Sequence, residues 1–466
     1  MRHVMIPSCS YISKWLSEET ETMPKIVIIA DDLTGATDSA AACAEYGMKT
    51  MVLLAKGEYD DPTSTNAEVV AIDANTRCCT ADQAALITEK LVQRYGKPGE
   101  AADQPLLLKK VDSTLRGHLA VELAAALKAR RDLAFGGEKV VVMFAPAFPA
   151  QGRTTAQGRQ MLHGIPLEET DFGRGEQVHL RSSITDILGE AGLSCGVVDI
   201  ATVRSGVRSL ETAMIQLADT VDLIVCDALN DEDLRLVASA SLALGPQIVW
   251  AGSAGLARQM PSAAGLVAGT DSLNPAFKLV QRQGATLFVV GSLANASREQ
   301  ARVLAAAPNV KTLNPELSAL LNEQSPESGE YAKAAVEALH HGNDVLLLVD
   351  FPDRYTSEQS NSVMRSLARI VQPCSDLVGA LVATGGETAR TVLDAWGVNR
   401  LRLLGEIEPG LPCSMTEGWS RDIPVLTKAG GFGTPETFLR CREFLQATGR
   451  DQHTIAQTAY VVENQS

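Results

Sequence analysis

Short apolar runs recur along this chain, and a helical pattern follows most of them. From Lys25 onward the runs are KIVIIA, TMVLLA, EVVAID, PLLLKKV, KVVVMFA, DLIVC and QIVWA. Helical patterns lie between them, over residues 36–46, 82–95 and 119–130. Runs of Val, Ile and Leu that alternate with helices are typical of a mainly parallel sheet covered on both faces. The alternation therefore predicts an α/β fold.

The alternation stops at residues 262–283, where Gly, Ser, Asn and Pro are mixed together. A second series follows, with the runs ATLFVV, DVLLLV, GALVAT, LRLLG and IPVLT. Because 466 residues exceed one ordinary core, we expect two domains, over residues 24–262 and 284–450. Each is predicted to be a mainly parallel sheet flanked by helices, with an active-site cleft between the domains. Residues 1–23 are predicted to be a poorly structured N-terminal extension.

The composition limits the partners of the chain. A formal net charge of −15 argues against binding to nucleic acid or to an anionic membrane. No apolar run approaches the roughly 18 residues that a membrane helix needs. The nine cysteines include no C-x-x-C pair, and the seven histidines show no HExxH spacing. We therefore expect a protein of the reducing cytoplasm without a zinc site.

Two adjacent carboxylates, Asp31 and Asp32, follow the first predicted strand in the segment ADDLTGATD. Such a pair is costly to bury unless cations or a metal compensate its charge. The Gly35 that follows and the start of a helix favour an anion nearby. A helix cap would explain one aspartate but not both. We take Asp32 as the first candidate for a general base and Asp31 as the second.

A second polar segment, KKVDSTLRG, follows the strand run PLLL. Its Lys, Asp, Ser and Arg side chains can bind the carboxylate and the hydroxyl groups of a ligand. The alternative is a solvated turn with a capping serine. The candidates for substrate binding in this segment are Lys109, Lys110, Val111, Asp112, Ser113 and Arg116. Arg77 occupies a similar position after another strand, where a lone arginine is also common on a surface. Arg153, in FAPAFPAQGRTT, is a further cation that suits a carboxylate or a phosphate.

Glycines follow three strands of the second series. The loops are GSLANAS from Gly291, TGGET from Thr384 and AGGFGTPE from Ala429. Glycine between a strand and a helix lets backbone N–H groups approach phosphate, although turn geometry alone also explains one such loop. No GxxxxGK[ST] or GxGxxG motif is present in context. We expect the three loops to converge at one sheet edge as a nucleotide site, with Ser297 and Gln300 as a capping box for the helix that follows the first loop.

These segments, in this order, resemble the four-carbon acid sugar kinase family. The carrying motifs are ADDLTGATD, KKVDSTLRG, FAPAFPAQGRTT, the GS at Gly291, TGGET and KAGGFG. The resemblance implies an N-terminal sugar-acid domain, a C-terminal nucleotide domain, and the use of ATP with Mg²⁺; the metal ligands stay open. By motif, the sugar-acid site comprises Asp31, Asp32, Arg77, Lys109, Lys110, Asp112 and Ser113. The nucleotide site comprises Ser292, Gly385, Gly386, Glu387, Thr388, Gly430 and Gly431, together with Ser253, which we expect to face the cleft. A homodimer is the default expectation for such enzymes.

The resemblance also limits the substrate. The paired lysines of KKVDSTLRG are similar to those of the aldonate kinases rather than the 3-oxo-tetronate kinases. This implies phosphorylation of the 4-hydroxyl of D-threonate, with D-erythronate and 3-oxo-tetronate as alternatives. Two other classes stay open at this point. A sugar-acid-binding regulator would not need the glycine loops, and a dinucleotide oxidoreductase would need a GxGxxG motif.

Overall fold

The computed structural model describes residues 23–55, 65–96, 104–134, 139–170, 180–245, 248–267, 284–291, 294–322, 325–349 and 357–447. We call the described residues up to 267 the N-terminal half and those from 284 the C-terminal half. The predicted N-terminal extension and most of the predicted linker lie outside the described residues. Within the described residues, no helix is long and apolar enough to cross a membrane.

Eighteen strands form the sheets of the described chain. They are β1 Ile26–Ala30, β2 Thr50–Leu54, β3 Val69–Asp73, β4 Leu106–Lys110, β5 Val142–Ala145, β6 Arg153–Ala156, β7 Arg159–Leu162, β8 Ile165–Pro166, β9 Cys195–Val198, β10 Leu223–Cys226, β11 Val249–Gly252, β12 Ala285–Val290, β13 Val310–Leu313, β14 Asp344–Leu348, β15 Val378–Thr384, β16 Arg400–Glu406, β17 Pro412–Thr416 and β18 Pro424–Lys428.

The α-helices cover the sheet on both faces. They are α1 Leu33–Glu45, α2 Ala81–Tyr95, α3 Leu119–Leu133, α4 Ile184–Gly189, α5 Ile200–Val203, α6 Val207–Ala218, α7 Asp231–Ser241, α8 Ala254–Ala263, α9 Asn295–Ala305, α10 Leu317–Leu321, α11 Pro326–His340, α12 Ser357–Val371, α13 Gly386–Ala395 and α14 Thr437–Gln446. Strands such as β1 are buried along their whole length because side chains on both faces meet helices.

Fifteen of the strands form one continuous sheet. Its order is β13-β14-β12-β15-β18-β17-β16-β2-β3-β1-β4-β11-β5-β10-β9, and β6-β7-β8 form a separate antiparallel sheet. The predicted fold class, mainly parallel sheets flanked by helices in two parts, is confirmed. The two predicted sheets are, however, joined edge to edge, because β16 of the C-terminal half pairs antiparallel with β2 of the N-terminal half.

The two halves of the sheet run in opposite directions. Three successive pairings, β2 with β16, β16 with β17 and β17 with β18, are antiparallel, whereas the strands beyond them on each side are parallel. Helix α1 packs across this junction, against β2, β3 and β16 and against α13. Its buried alanines, among them Ala36, Ala40 and Ala41, allow this close packing. The start of α1 therefore lies where both halves meet.

Polar contacts also join the halves. The Thr37 and Thr427 hydroxyls are 2.9 Å apart and buried. Arg258 on α8 bonds Glu45 on α1 and Glu406 on β16, at 3.1 and 3.0 Å. These contacts fix the N-terminal half against the C-terminal half beside the first turns of α1.

Candidate active site

A cleft of about 480 Å³ opens between the two halves. Charged side chains of the N-terminal half form one wall, and loops of the C-terminal half form the other. The lining includes Asp32, Asp38, Arg77, Lys110, Asp112, Ser113, Arg116, Gly410, Lys428, Ala429 and Phe432. The cleft therefore brings the predicted sugar-acid residues against the last of the glycine loops.

Asp31 and Asp32 share one cation, Arg77. Arg77 Nε and Nη2 donate to Asp31 Oδ2 at 2.9 and 2.6 Å, and Arg77 Nη1 donates to Asp32 Oδ2 at 2.7 Å. Burial by itself raises the pKa of Asp31, but the charges of Arg77, Lys109 and Lys110 outweigh it and hold that pKa below its usual value. The compensating cation that two adjacent carboxylates require is present.

Asp32 also caps helix α1. Its Oδ1 accepts a hydrogen bond from Gly35 N at 2.7 Å, and its Oδ2 accepts one from Thr34 Oγ1 at 2.9 Å. The cap and the ion pair with Arg77 occur together, so both oxygens of Asp32 already accept hydrogen bonds. Its role as a base stays a prediction, and these contacts weaken it.

Lys109 and Lys110 point to opposite faces of β4, as successive residues of a strand must. Lys110 lines the cleft, and its Nζ donates to Val111 O at 2.8 Å. Lys109 lies behind the sheet, where its Nζ is 3.4 Å from Glu122 Oε2. Val111 packs in the core. Among the described residues, the cleft lining includes neither Lys109 nor Val111, so the structure brings only part of this segment together.

The rest of the segment forms a tight turn beside the cleft. Asp112 Oδ2 accepts hydrogen bonds from Thr114 Oγ1 and from Arg116 Nε, both at 2.5 Å. Although burial raises the pKa of Asp112, Arg116 and Arg77 hold it well below the usual range. Leu115 N donates to Asp112 O at 2.9 Å, which closes the turn, and Asp112, Ser113 and Arg116 all line the cleft.

Three adjacent parallel strands of the C-terminal half carry the glycine loops. Strand β15 lies between β12 and β18, and both pairings, β12 with β15 and β15 with β18, are parallel. The predicted convergence of Gly291, Gly385 and the loop after Lys428 at one sheet edge is therefore confirmed. Gly291 packs so closely on Thr388 that a β-carbon there would overlap Thr388 Oγ1. Ser292 lies outside the described residues.

Helix α13 begins against the carboxylate of Asp32. A β-carbon on Gly386, the first residue of α13, would lie only 2.7 Å from Asp32 Oδ2. Gly385, the N-cap, offers no side-chain acceptor to the first N–H groups of the helix. Glu387 in the same turn is partly buried, and burial raises its pKa. The predicted nucleotide helix and the predicted sugar-acid carboxylate thus meet at one point.

Lys428 shapes the third loop. Its Nζ donates to the carbonyl oxygens of Ala429, Gly430 and Phe432, at 2.9, 3.2 and 2.9 Å. Burial lowers the pKa of Lys428 to about 8. Lys428 is not among the site residues predicted from the sequence, although a lysine that ends a buried strand directly before AGGFG is a usable signal.

The predicted capping box of Ser297 and Gln300 is wrong. Helix α9 begins at Asn295, after an N-cap, Ala294, that makes no side-chain hydrogen bond. Ser297 Oγ donates instead to Gly430 O at 2.7 Å, and Gln300 Nε2 donates to Phe432 O at 2.9 Å. Both side chains hold the third glycine loop in place. A capping-box pattern within one helix cannot predict these contacts, because the loop lies more than 100 residues further along the chain.

Two further residues of the N-terminal half lie in or next to the cleft: Ser253 belongs to its lining, and Arg153 contacts Phe432 of the lining. Ser253 caps α8, and its Oγ donates to Ala147 O at 2.5 Å and accepts from Gly255 N at 3.1 Å. The guanidinium of Arg153 lies 5.3 Å from the ring centroid of Phe432, which belongs to the third glycine loop. Ser253 therefore caps a helix at the edge of the cleft, its part in nucleotide binding stays a prediction, and Arg153 links the two walls.

Two family models match the chain in succession. A sugar-binding N-terminal domain matches residues 26–260, and a nucleotide-binding C-terminal domain matches residues 287–438. The chain is 35% identical over 413 residues to the D-threonate kinase of Cupriavidus necator, which covers 88% of this chain and 95% of that protein. This chain belongs to the four-carbon acid sugar kinase family.

Other proteins resemble this kinase over most of its length. The D-threonate kinase of Bordetella bronchiseptica is 33% identical, over 91% of this chain and 98% of that protein. The D-erythronate kinase of Heliobacterium modesticaldum is 26% identical, over 91% and 97%. A solved structure from Salmonella typhimurium has the same fold, with a TM-score of 0.70 and 21% identity over 90% of this chain and 98% of that one. Family membership sets aside the regulator and oxidoreductase alternatives.

Proposed function

We propose that this kinase transfers the γ-phosphoryl group of ATP to the 4-hydroxyl of D-threonate. The observation that carries the proposal is the contact between Gly386 and Asp32, because it joins the start of a nucleotide helix to a sugar-acid carboxylate. Phosphoryl transfer depends chiefly on positioning and on neutralising charge. A cleft with cations on one wall and glycine-bearing loops on the other suits both needs.

The charges of the N-terminal wall suit a short polyhydroxy acid. Arg77 is engaged by Asp31 and Asp32, so Lys110 is the better partner for the C1 carboxylate of the substrate. Asp112 and Ser113 border the same space and suit the C2 and C3 hydroxyl groups. Arg116 keeps Asp112 ionised, so that this carboxylate accepts hydrogen bonds from the substrate.

The C-terminal wall suits the phosphates of ATP. The first turn of α13 and the loop after Lys428 present backbone groups beside glycine, where the chain can approach phosphate closely. Lys428 itself is engaged by loop carbonyls, so we propose that it holds the loop in shape and that backbone N–H groups contact the phosphates.

We propose that Mg²⁺ accompanies the ATP. In the described residues no group of three or more His, Cys, Asp or Glu side chains is arranged to hold a metal. Mg²⁺ commonly takes one or two carboxylates and completes its shell with phosphate and water. Asp31 Oδ1 is buried, has no hydrogen-bond partner among the residues that the structure describes, and fits such a ligand. The ion would neutralise the charge of the phosphates.

The choice of D-threonate rests on two observations. Relatives named D-threonate kinase match at 28–35% identity, and relatives named D-erythronate kinase or 3-oxo-tetronate kinase match at 25–27%. Asp112 is held ionised beside the cleft, where a hydroxyl group would donate to it and a ketone at C3 would not. D-Erythronate, which differs at one carbon, is the second candidate.

A comparison of three acids tests this proposal. Coupled ADP release should give the highest kcat/KM for D-threonate, a lower value for D-erythronate, and a value for 3-oxo-tetronate at least about 100-fold below the first, because an unpaired carboxylate penalises the ketone. ADP release without any acid is the control for ATP hydrolysis. A preference for the oxo acid would contradict the role of Asp112. A preference for D-erythronate would overturn only the stereochemical choice.

Gly431 offers a separate test of the nucleotide site. No described atom lies within 4 Å of a β-carbon placed on Gly431, so the free protein has open space for a side chain at this position. We expect Gly431→Val to leave the melting temperature unchanged and to weaken ATP binding roughly tenfold, the cost of crowding a bound ligand. Calorimetric titration with ATP measures this. Gly189→Val, at another exposed glycine with open space, is the matched control. Unaltered ATP affinity in Gly431→Val would remove this loop from the site.

We also propose that the kinase forms a homodimer, which light scattering of the purified protein tests.

A further inference from the structure

Asp38 lines the cleft from the second turn of α1. It shares one face of the helix with Thr34 and Thr37, which border the same space. Its Oδ1 is buried and, within the part of the chain that the structure describes, has no hydrogen-bond partner. A buried carboxylate oxygen without a donor is rare in a folded protein unless a ligand supplies the donor.

The other carboxylates of the cleft wall are already engaged. Asp32 accepts from Gly35, Thr34 and Arg77 with its two oxygens. Asp112 accepts from Thr114 and Arg116. An oxygen that accepts from a guanidinium is a weak base, because the cation stabilises the ionised form. Among the carboxylates of the described lining, Asp38 is the one whose contacts leave it free to accept a proton.

We propose that Asp38, rather than Asp32, is the general base of this kinase. The inference rests on the proposed function. The O–H bond of the substrate's 4-hydroxyl breaks, and its proton goes to Asp38 Oδ1. The electron pair that the O–H bond leaves on the substrate's 4-oxygen forms a bond to the γ-phosphorus of ATP. The bond from the γ-phosphorus to the bridging oxygen breaks, and its electrons leave with ADP.

The surroundings of Asp38 suit this role. Burial raises its pKa to about 6, and the nearby cations keep it from rising further. A base with such a pKa is ionised in neutral solution yet basic enough to take a proton in the transition state. The charged groups that act on it are Lys110 of β4, Arg258 of α8, Arg153 of β6, Asp32 before α1 and Glu406 of β16, and Lys428 of β18 borders the same cleft.

Asp38→Asn keeps the shape of the side chain and removes the base. We expect kcat to fall about 100-fold while the KM values for acid and ATP stay within about threefold, the pattern of a lost proton transfer. In the wild type, kcat/KM should rise with pH and level off above about 6, as Asp38 loses its proton. The residual activity of Asp38→Asn should lack this rise, and the residual activity of Asp32→Asn should keep it.

Two controls make the result decisive. Asp82→Asn changes an exposed aspartate on α2 and should leave kcat and the pH profile unchanged. A melting curve and an ATP titration of Asp38→Asn show whether it is folded. A folded Asp38→Asn with near-normal kcat, or one that keeps the rise near pH 6, would contradict the proposal. If the wild type phosphorylated none of the acids, the proposed function itself would fail, which is a different result.

Discussion

Replacing Arg77 with methionine is expected to lower kcat/KM about 1,000-fold, because Arg77 carries the only positive charge that the described structure bonds to both Asp31 and Asp32. Without it, two adjacent buried carboxylates repel one another, and one of them takes up a proton in neutral solution. Asp32, which caps α1, would then lose its negative charge, or its side chain would move away from the start of the helix. Steady-state ADP release with the acid that the wild type prefers measures this effect.

Two further variants show whether the effect belongs to the shared ion pair. Arg77→Lys keeps the charge, but one ammonium group cannot reproduce three guanidinium hydrogen bonds, so we expect an intermediate loss. Arg131→Met removes an arginine from an exposed pair with Asp222, and activity should be unchanged. Arg77→Met activity within tenfold of the wild type would show that the two aspartates do not need this cation.

Replacing Arg390 with methionine is expected to lower the free energy of unfolding by about 3–5 kcal/mol, the usual cost of breaking one side of a buried ion pair. Arg390, on α13, donates to Asp73 Oδ2 at 2.8 Å and to Ala55 O at 2.5 Å, so it joins the nucleotide helix to the N-terminal half. Its side chain is 7% exposed and that of Asp73 is 1% exposed. Denaturant unfolding monitored by fluorescence measures the loss.

The destabilisation by Arg390→Met should depend on pH. Burial raises the pKa of Asp73 to about 6 even beside Arg390. Without the arginine this pKa rises further, so the variant keeps losing stability as the pH increases through 6 to 8, where the wild type has levelled off. The difference should therefore be small at pH 5 and large at pH 8. Arg302→Met, which breaks an exposed pair with Glu299, is the control and should cost little at either pH. An equal loss at both pH values would contradict this explanation.

The sequence predicts the strands of the main sheet well where they are buried on both faces. KIVIIA and ATLFVV become β1 and β12, because continuous apolar runs need cover on both sides. The strands of the small antiparallel sheet were not predicted, because RTTA and RQML are short and partly polar. The single sheet was not predicted either, since the pairing of β2 with β16 joins segments about 350 residues apart in the chain.

The candidate site shows the same division between local and long-range information. Asp31, Asp32 and Arg77 meet because parallel strands bring their carboxyl ends together, which the strand pattern predicts. The sequence also predicts that the side chains of Lys109 and Lys110 lie on opposite faces of the sheet, since successive strand residues point in opposite directions. The contact of Gly386 with Asp32 could not be predicted from the sequence, because it depends on how the two halves of the chain pack. The importance of Asp38 likewise depends on which neighbouring oxygens are already engaged.

The nature of the product tests the central claim most directly. The kinase is incubated with ATP, Mg²⁺ and D-threonate, and the product is examined by ³¹P nuclear magnetic resonance with proton coupling. Transfer to the terminal hydroxyl predicts one phosphomonoester whose phosphorus couples to both protons of C4, together with one ADP for each product molecule. Coupling to a single proton, which marks phosphorylation at C2 or C3, would contradict the claim, and so would release of ADP and inorganic phosphate without a phosphomonoester.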